Sequence, residues 1–496
     1  MRLLFATSEC YPLAKTGGLA DVSRSLPVAL ANQGAEITII MPAYPRALVQ
    51  LRNPRVVTRL PATFGVSDGI LIEGTFPDCD LPVLLVSSAT LFGRDGGLYQ
   101  DHAGTDWPDN GLRFAYFSKI AADLALGQIA PSGQTDLVHA NDWHTGLLPY
   151  FLARHDGARP KTVFTTHNMA FQGVFTPEQV PDIGVGDFEF YNKISFLKAA
   201  LTYADRVTTV SPTYAREILT PEYGFGLEGV LAARGAHFSG ILNGIDETIW
   251  NPATDHFLPA NYRPHDLSGK RLCKRELQRE MELPIAPDIP LIGFVSRLTG
   301  QKMADALIEA LPWIKHSGAQ LIVVGEGDSA IEHAIADAAA QNVDFLAATI
   351  GYDEALAHKL QAGSDILLAP ARFEPCGLTQ LYALKYGTLP VVRKTGGLAD
   401  TVIDTNNLSI IDRSASGFVF DAPNTDGMIY ALSRALALYR DPFHWRLVQL
   451  QAMTRDFGWD RSARTYMDLY RDATGEPPSR RITEVGDSEG ARRATG

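Results

Sequence analysis

At 496 residues, the chain is too long for one ordinary hydrophobic core and is expected to form two domains. Hydrophobic residues make up 46% of it and charged residues 20%, a composition typical of a globular protein, which excludes a disordered one. The formal net charge of −12 argues against a nucleic-acid partner, because phosphate backbones require a basic surface.

The cysteine pattern and the apolar runs indicate where the protein works. The four cysteines lie far apart and form no C-x-x-C pair, which favours reduced thiols and a cytoplasmic protein over a disulfide framework or a zinc site. The first predicted strand begins at residue 2, which we interpret as leaving no room for a transit peptide. No segment reaches the ~18–20 apolar residues of a membrane span, so no membrane partner is expected.

In the first half of the chain, short apolar runs alternate with amphipathic ones. The predicted strands of this half are RLLFAT, AEITIIM, LPVLLVS, TDLVHA, KTVFTTH, RVTTVS and FSGILNG. Helical patterns such as LADVSRSLPVALANQ separate several of them. Strands rich in β-branched residues that alternate with helices predict a parallel sheet covered on both faces.

The alternation lapses around residues 250–285 and then restarts. The predicted strands of the second half are PLIGFVSRL, AQLIVVGEG, VDFLAATIG, SDILLAPAR, LPVVRK and SGFVF. The sequence therefore predicts two Rossmann-like, doubly wound α/β domains, over residues 1–250 and 251–472. Residues 473–496 lack apolar periodicity and are expected to form a disordered tail.

The seven residues KTGGLAD occur twice, at 15–21 and at 394–400. Each copy lies where a strand pattern gives way to a helical one, which is where ligands bind in doubly wound sheets. A Gly pair at a helix start lets a ligand approach the backbone N–H groups, and the flanking Lys adds positive charge. We expect two ligand loops that point into one cleft. The alternative for either copy alone is a tight strand-to-helix turn.

Charged residues follow two other predicted strands. Arg297 and Lys302 lie five residues apart on a loop. Two cations this close suit the phosphates of a nucleotide diphosphate, although such a pair taken alone is more often a solvated patch. Glu374 lies in a turn after SDILLAP, where a carboxylate can receive sugar hydroxyls or cap the helix that follows.

Two further patterns suggest other chemistries and are not favoured. His139, Asp142, His144 and His167 resemble a metal site, but alternation along a strand and its turn would point them in different directions, so no metal is predicted. Residues 325–330, GEGDSA, fit a dinucleotide-binding fingerprint. They follow the second strand of their domain rather than the first, and nothing nearby resembles a hydride-transfer site.

The motifs KTGGLADV, NDWH, THN, NGID, SRLTGQK, EPCGLTQLYALKYG and TGGLADTV occur in the order seen in bacterial glycogen synthases and plant starch synthases. The resemblance covers residues 1–472. Related retaining glycosyltransferases usually have a second Glu eight positions after the first, and Tyr382 stands at that position here. The chain therefore resembles the glycogen and starch synthase branch.

This resemblance implies a GT-B fold, in which two Rossmann-like domains face each other across a deep cleft. It implies transfer of glucose from ADP-glucose to the non-reducing end of an α-1,4-glucan such as glycogen, with retention of configuration and release of ADP. No metal or other cofactor is expected. No oligomeric state is predicted.

The resemblance also implies roles for individual residues. Lys15, Gly17 and Gly18 would lie at the donor's phosphates and glucosyl unit, and Arg297 and Lys302 would neutralise the diphosphate. The residues implied around the transferred glucose are Asp21, His167, Asn243, Glu374, Cys376, Gly377, Leu378 and Thr379. Those implied at the acceptor and at the adenine are Asp142 with Trp143, and Tyr352. The expected catalytic set is Lys15, His167, Arg297, Lys302 and Glu374.

One residue departs from the family pattern. Met303 stands where the family usually has Gly after QK. If this position requires a positive φ, the loop that carries Lys302 is expected to be strained or reshaped, with a shifted affinity rather than lost activity.

Two other classes of protein were weighed against this interpretation. A phosphorylase of similar architecture would need a pyridoxal phosphate lysine and a much longer chain, and neither is evident. A catalytically silent glucan-binding protein would be expected to have lost Lys15, Arg297, Lys302 or Glu374, and all four are present.

Overall fold

The computed structural model describes residues 1–129, 135–181, 183–184 and 186–476. No helix in these ranges is both long enough and apolar enough to cross a membrane. The strands are, in chain order, β1 (Arg2–Ala6), β2 (Glu36–Pro42), β3 (Arg52–Arg59), β4 (Ile70–Thr75), β5 (Pro82–Ser87), β6 (Leu137–Asn141), β7 (Lys161–Thr166), β8 (Val174–Phe175), β9 (Glu189–Phe190), β10 (Lys193–Ser195), β11 (Arg206–Thr209), β12 (Phe238–Gly240), β13 (Leu291–Val295), β14 (Gln320–Gly325), β15 (Leu346–Ile350), β16 (Ile366–Ala369), β17 (Leu389–Arg393) and β18 (Phe418–Phe420).

Helices connect most of these strands. They are α1 (Gly18–Asn32), α2 (Pro45–Gln50), α3 (Ala89–Phe92), α4 (Asn110–Ala125), α5 (Leu147–Ala153), α6 (Phe196–Tyr203), α7 (Pro212–Glu217), α8 (Glu228–Ala232), α9 (Ser268–Glu280), α10 (Ala304–Ser317), α11 (Ser329–Gln341), α12 (Glu354–Gly363), α13 (Thr379–Tyr386), α14 (Gly396–Thr401), α15 (Asn407–Ile411), α16 (Thr425–Tyr439), α17 (Pro442–Met453) and α18 (Trp459–Thr474). Short 3₁₀ turns cover Trp143–Thr145, Pro177–Gln179, Gly235–His237 and Gly300–Lys302.

The first domain is built on a sheet of nine strands in the order β12-β11-β7-β6-β1-β2-β5-β4-β3. From β12 to β5 every pair is parallel, whereas β4 and β3 join antiparallel at one edge. Central strands such as β6 are buried along their whole length because helices cover both faces of the sheet. A separate antiparallel sheet, β8-β10-β9, lies in the same half of the chain.

The second domain has a six-stranded, all-parallel sheet in the order β15-β14-β13-β16-β17-β18. Strand order reverses at β13, whose neighbours β14 and β16 lie on opposite sides of it. The loops that follow β13 and β16 carry Arg297 and Glu374. The two doubly wound domains that the sequence predicts are therefore present, and the candidate residues lie at the carboxyl ends of strands, where such folds bind ligands.

The last helix returns to the first domain. α18 packs against α1, and Tyr466 and Tyr470 are buried in the core of the nine-stranded sheet. The sequence interpretation placed this helix with residues 251–472, because its amphipathic pattern does not reveal which sheet it covers. The predicted tail begins too early, because residues 473 and 474 are the last two of α18. Residues 477–496 lie outside the described residues.

A buried hydrogen bond allows a test of how α18 is anchored on the first domain. The Tyr470 hydroxyl lies 2.7 Å from Nδ1 of His139 on β6. In a Tyr470→Phe variant the imidazole nitrogen loses its partner, so we expect the free energy of unfolding to fall by roughly 1–3 kcal/mol. Urea unfolding followed by circular dichroism measures this loss. Tyr430→Phe, at a tyrosine that is 61% exposed on α16, is the matched control, and an equal loss in both variants would contradict the anchoring role.

Candidate active site

Two short helices join the domains by capping each other. The carboxylate of Glu217, at the end of α7, accepts hydrogen bonds from the Gly396 N–H at the start of α14, at 3.0 and 3.1 Å. In the opposite direction, Asp400 on α14 accepts from the N–H and the hydroxyl of Thr213 on α7, at 2.8 and 2.6 Å. Each helix start is thereby satisfied by a carboxylate from the other domain.

This junction uses the second KTGGLAD copy, so the prediction of a ligand loop is wrong for it. Gly396 and Gly397 are buried, and a Cβ added to them would lie 1.8 Å from the Glu374 carbonyl oxygen and 2.1 Å from that of Cys376. The N–H group of Gly396 donates to Glu217 and that of Gly397 to the carbonyls of Glu374 and Pro375, so protein groups already occupy both donors. The Gly pair instead lets α14 pack closely beneath the turn that carries Glu374.

The first copy is open and faces the second domain. Gly17 and Gly18 are exposed, and the nearest atom to a Cβ placed on Gly18 is Cδ1 of Leu378, at 3.5 Å. The N–H groups of Thr16 and Gly17 donate to the buried carboxylate of Glu9 at 2.6 and 3.2 Å. The sequence interpretation missed Glu9, since an acid seven residues before Thr16 matches no helix-capping spacing.

Lys15 spans the cleft between the domains. Its Nζ lies 3.0 Å from Asp21 and 3.6 Å from Glu354 of the second domain, a carboxylate that the sequence interpretation also missed. Burial alone would lower the pKa of Lys15, but the charges of Asp21 and Glu354 raise it above its usual value. Burial raises the pKa of Asp21 to about 6, although Lys15 opposes this shift. The ring of Tyr352, 55% exposed, lies 5.6 Å from the same Nζ.

Arg297, Lys302 and Glu374 come together on two adjacent loops of the second domain. Nζ of Lys302 donates to the Glu374 carboxylate, which is largely buried. Arg297 donates to the side chain of Gln301 at 3.1 Å, and its guanidinium lies 5.8 Å from the ring of Phe171 in the first domain. Two cations and one carboxylate therefore line the second domain's side of the cleft.

Met303 follows Lys302 with φ 53° and ψ 33°, in the left-handed region. Its side chain is fully buried in the core of the second domain. The condition stated from the sequence, a positive φ at this position, is met, because the residue has the conformation that Gly adopts without cost. The shifted affinity stays a prediction. Burial of the Met side chain holds the residue there.

The turn that precedes α13 carries several of the predicted substrate-binding residues. Gly377, with φ 72°, makes this turn and is followed by Leu378 and Thr379 at the helix start. Burial raises the pKa of the Cys376 thiol to about 12, and the backbone N–H of Asn243 opposes this shift. The buried Oδ1 of Asn243 has no hydrogen-bond donor among the described residues. Such an oxygen is ready to accept a hydrogen bond from a ligand hydroxyl.

The buried carboxylate of Asp142 is bound to the backbone of the half-buried His167 on the first domain. The His167 N–H donates to Asp142 at 2.8 Å, and its Nε2 lies 3.1 Å from Oδ1 of Asn141. Burial raises the pKa of Asp142 to about 7 and lowers that of His167 to about 3, so this imidazole is neutral at pH 7. Trp143 stacks on His144 with ring centres 3.9 Å apart.

His139 points elsewhere, toward Tyr470 and Thr165. Within the described ranges, no three or more His, Cys, Asp or Glu side chains are grouped so that they could hold a metal ion.

A buried phenol connects the two sides of the site. The Tyr214 hydroxyl accepts a hydrogen bond from the Met169 N–H at 3.0 Å. Burial raises the pKa of Tyr214, and the negative charges of Asp142, Glu217 and Glu374 add to this rise. Carboxylates from both domains therefore act electrostatically on this one side chain. The first-domain pair and the second-domain cations face a common space.

Two doubly wound domains that present cations to one cleft have the architecture of GT-B glycosyltransferases, and the family models agree with this class. The family model described as starch synthase catalytic domain matches residues 2–233, and the one described as glycosyl transferases group 1 matches residues 278–445.

Proteins that are similar over almost the whole chain point to the same class. The glycogen synthase of Paramagnetospirillum magneticum is 48% identical over 484 residues, covering 96% of this chain and 98% of that protein. The glycogen synthase of Burkholderia thailandensis is 48% identical over 501 residues, covering 99% and 93%. The solved catalytic domain of Starch Synthase IV from Arabidopsis thaliana, bound to ADP and acarbose, is 32% identical with a TM-score of 0.86, covering 96% and 99%.

The chain therefore belongs to the glycogen and starch synthase family of glycosyltransferases. The resemblance drawn from the motifs, the GT-B fold and the glucosyltransferase class are confirmed.

The Met303 position sets two effects against each other. A Met303→Gly change relieves a left-handed conformation that costs about 1–2 kcal/mol, but it removes a buried side chain worth about 2–5 kcal/mol. The burial term is larger, so we expect the thermal unfolding temperature to fall. Met303→Ala keeps the strain and loses most of the side chain, so its temperature is expected to fall further. A Gly variant more stable than the parent would contradict this balance.

The Asp142 pKa predicts a pH-dependent stability. The folded-state pKa of Asp142, about 7, lies above the unfolded value of about 3.9. The protonated carboxyl therefore contributes fully to the free energy of unfolding below about pH 4, and this contribution is lost as the pH rises through 7. Asp142→Asn should therefore gain stability relative to the parent over this range, by up to about 4 kcal/mol.

Urea unfolding of both proteins from pH 4 to pH 8 measures this gain. Buried His139, His144 and His167 titrate in the opposite sense, but they do so in both proteins and cancel in the difference. A difference that stays constant across this range would show that the Asp142 pKa is not raised.

Proposed function

We propose that the protein transfers glucose from ADP-glucose to the non-reducing end of an α-1,4-glucan, with retention of configuration and release of ADP. The observation that carries this proposal is the placement of Arg297 and the Lys302–Glu374 pair opposite the open Gly17–Gly18 loop. The relatives named glycogen synthase and the ADP-bound starch synthase support the choice of substrates.

The leaving diphosphate requires positive charge. As the bond between C1 and the phosphate oxygen breaks, negative charge grows on the diphosphate and positive charge on the sugar. We assign its stabilisation to Arg297 and Lys302 from one domain and to Lys15 from the other, since fixed cations in a water-poor cleft are effective. In this proposal no metal is required.

Glu374 serves as a hydrogen-bond acceptor for hydroxyls of the transferred glucose and as a counter-charge. Its carboxylate is bound to Lys302, which fits a positioning role better than that of a covalent nucleophile. The attacking acceptor hydroxyl forms the new bond to C1 and gives its proton to the departing phosphate oxygen on the same face. This route retains configuration without an enzyme-bound sugar.

The remaining substrate contacts are assigned from the positions of the side chains in the cleft. The unpartnered Oδ1 of Asn243 would accept from a glucose hydroxyl, and the neutral His167 would hydrogen-bond the sugar without adding charge. Asp142 and Trp143 would border the acceptor. The exposed ring of Tyr352, beside Lys15, offers a flat face for adenine.

Closure of the two domains on the donor would exclude water that otherwise hydrolyses it. The contact between Lys15 and Glu354 across the cleft supports such an approach of the domains.

All four cysteines are free, which supports a cytoplasmic location.

A donor assay tests the proposed reaction. ADP or UDP release is measured from ADP-glucose and UDP-glucose, with and without glycogen, and with EDTA. We expect ADP release from ADP-glucose that depends on glycogen and is unchanged by EDTA, and slower UDP release from UDP-glucose. Release of glucose 1-phosphate from glycogen and phosphate would indicate a phosphorylase instead.

Arg297→Ala tests the assignment of the leaving-group charge. We expect kcat to fall about 100-fold, because the loss of one charged donor costs on the order of 3 kcal/mol, while the KM for glycogen stays within about twofold. Arg440→Ala, at an exposed arginine after α16, is the matched control and should keep full activity. Turnover equal to that of the parent in Arg297→Ala would overturn the assignment.

A further inference from the structure

The carboxylate of Glu354 contacts three side chains at the edge of the cleft. Its Oε2 lies 3.6 Å from Nζ of Lys15 in the first domain and accepts a hydrogen bond from the Tyr352 hydroxyl. Its Oε1 lies 3.8 Å from Nε2 of His358, one helical turn further along α12. An ammonium that faces the cleft and a buried imidazole therefore share one carboxylate.

His358 is held in a single orientation inside the second domain. Its side chain is 1% exposed, and Nδ1 lies 2.7 Å from Oδ2 of Asp255, which also accepts a hydrogen bond from the Tyr386 hydroxyl at 2.6 Å. The indole of Trp250 stacks on the imidazole with ring centres 3.7 Å apart and planes 10° from parallel. These contacts leave Nε2 facing Glu354.

The carboxylates on its two sides favour the charged form of His358. Burial would lower the pKa of this imidazole, but the interactions with Asp255 and Glu354 raise it above its usual value. Among the described residues Nε2 has no hydrogen-bond partner, because 3.8 Å is too long for a hydrogen bond to Glu354. The interaction with Glu354 is therefore an ion pair, and it requires the imidazolium.

Lys15 and His358 compete for the charge of Glu354. In this structure the ammonium of Lys15 lies between Asp21, at 3.0 Å, and Glu354. A diphosphate that binds Lys15 must compete with both carboxylates. A second cation beside Oε1 weakens the attraction of Glu354 for Lys15. Asp255 and the imidazolium together carry no net charge, so their influence on the cleft passes through Glu354.

We propose that His358 is a positioning residue of the donor site, which acts through Glu354 to loosen the hold of the cleft carboxylates on Lys15 and so strengthens binding of the donor's diphosphate. This inference rests on the proposed function, in which Lys15 binds that diphosphate. His358 itself is too deeply buried to touch the donor or the reacting atoms.

Calorimetric titration with ADP at pH 6.5 tests this role. In His358→Asn we expect the Kd for ADP to rise about fivefold, because Glu354 then acts on Lys15 alone. In Glu354→Gln we expect the Kd to fall, because this carboxylate no longer competes with the diphosphate. His316→Asn, at an exposed histidine in the last turn of α10, is the matched control and should bind ADP as the parent does.

A double variant separates positioning from support of the core. With Glu354→Gln in place, His358→Asn should change the Kd for ADP less than twofold, because the route through Glu354 is gone. Urea unfolding confirms that each titrated variant is folded. The proposal is overturned if His358→Asn binds ADP as the parent does, if the fivefold loss persists in the double variant, or if Glu354→Gln binds ADP no more tightly than the parent.

A pH series gives the same test without a change in the core. Because its pKa is raised, His358 keeps its proton to higher pH and loses it between pH 6 and pH 9. The Kd for ADP should therefore rise over this range by more in the parent than in Glu354→Gln. The other titratable groups that face the ring, Asp255 and Tyr386, are present in both proteins. An equal rise in both proteins contradicts the proposal.

Turnover separates this inference from the proposed function. With glycogen as acceptor, the KM for ADP-glucose should rise about fivefold in His358→Asn while kcat stays within about twofold, since binding is weakened uniformly. If the parent binds ADP but releases none from ADP-glucose, the proposed function fails and the titrations still decide the role of His358. A parent protein that does not bind ADP overturns both.

Discussion

A glutamate binds backbone N–H groups at each Gly pair, those of Thr16 and Gly17 just before α1 and that of Gly396 at the start of α14, and the cleft depends on which domain supplies each glutamate. Glu9 belongs to the same domain as its helix, so the first Gly pair stays open to the cleft. Glu217 belongs to the opposite domain, so the second Gly pair is buried in the junction. One heptapeptide thus makes an open loop that faces the cleft in one place and an interdomain contact in the other.

The contact between α7 and α14 determines which side chains of the two domains face each other across the cleft. Because α7 and α14 cap each other, the turn that carries Glu374 is held against the first domain. Lys15 then reaches Glu354 on the other side of the space. Cations from both domains are presented to one volume, which is what the proposed stabilisation of a leaving diphosphate requires.

Local patterns predicted much of this structure. Alternating apolar runs identified both parallel sheets, and strand ends located Arg297, Lys302 and Glu374. The interpretation failed where a partner is distant in sequence, as for Glu217 and for α18, because a local pattern does not show which surface an element covers. The same limit hid Glu9 and Glu354, whose roles come only from the folded arrangement.

A crystal structure with bound ADP tests the central claim most directly. The account predicts that the diphosphate lies between the domains, within hydrogen-bond distance of Arg297 and Lys302 and against the Gly17–Gly18 backbone. ADP bound at the second KTGGLAD copy beside Lys394, or on the outer face of either domain, would contradict it.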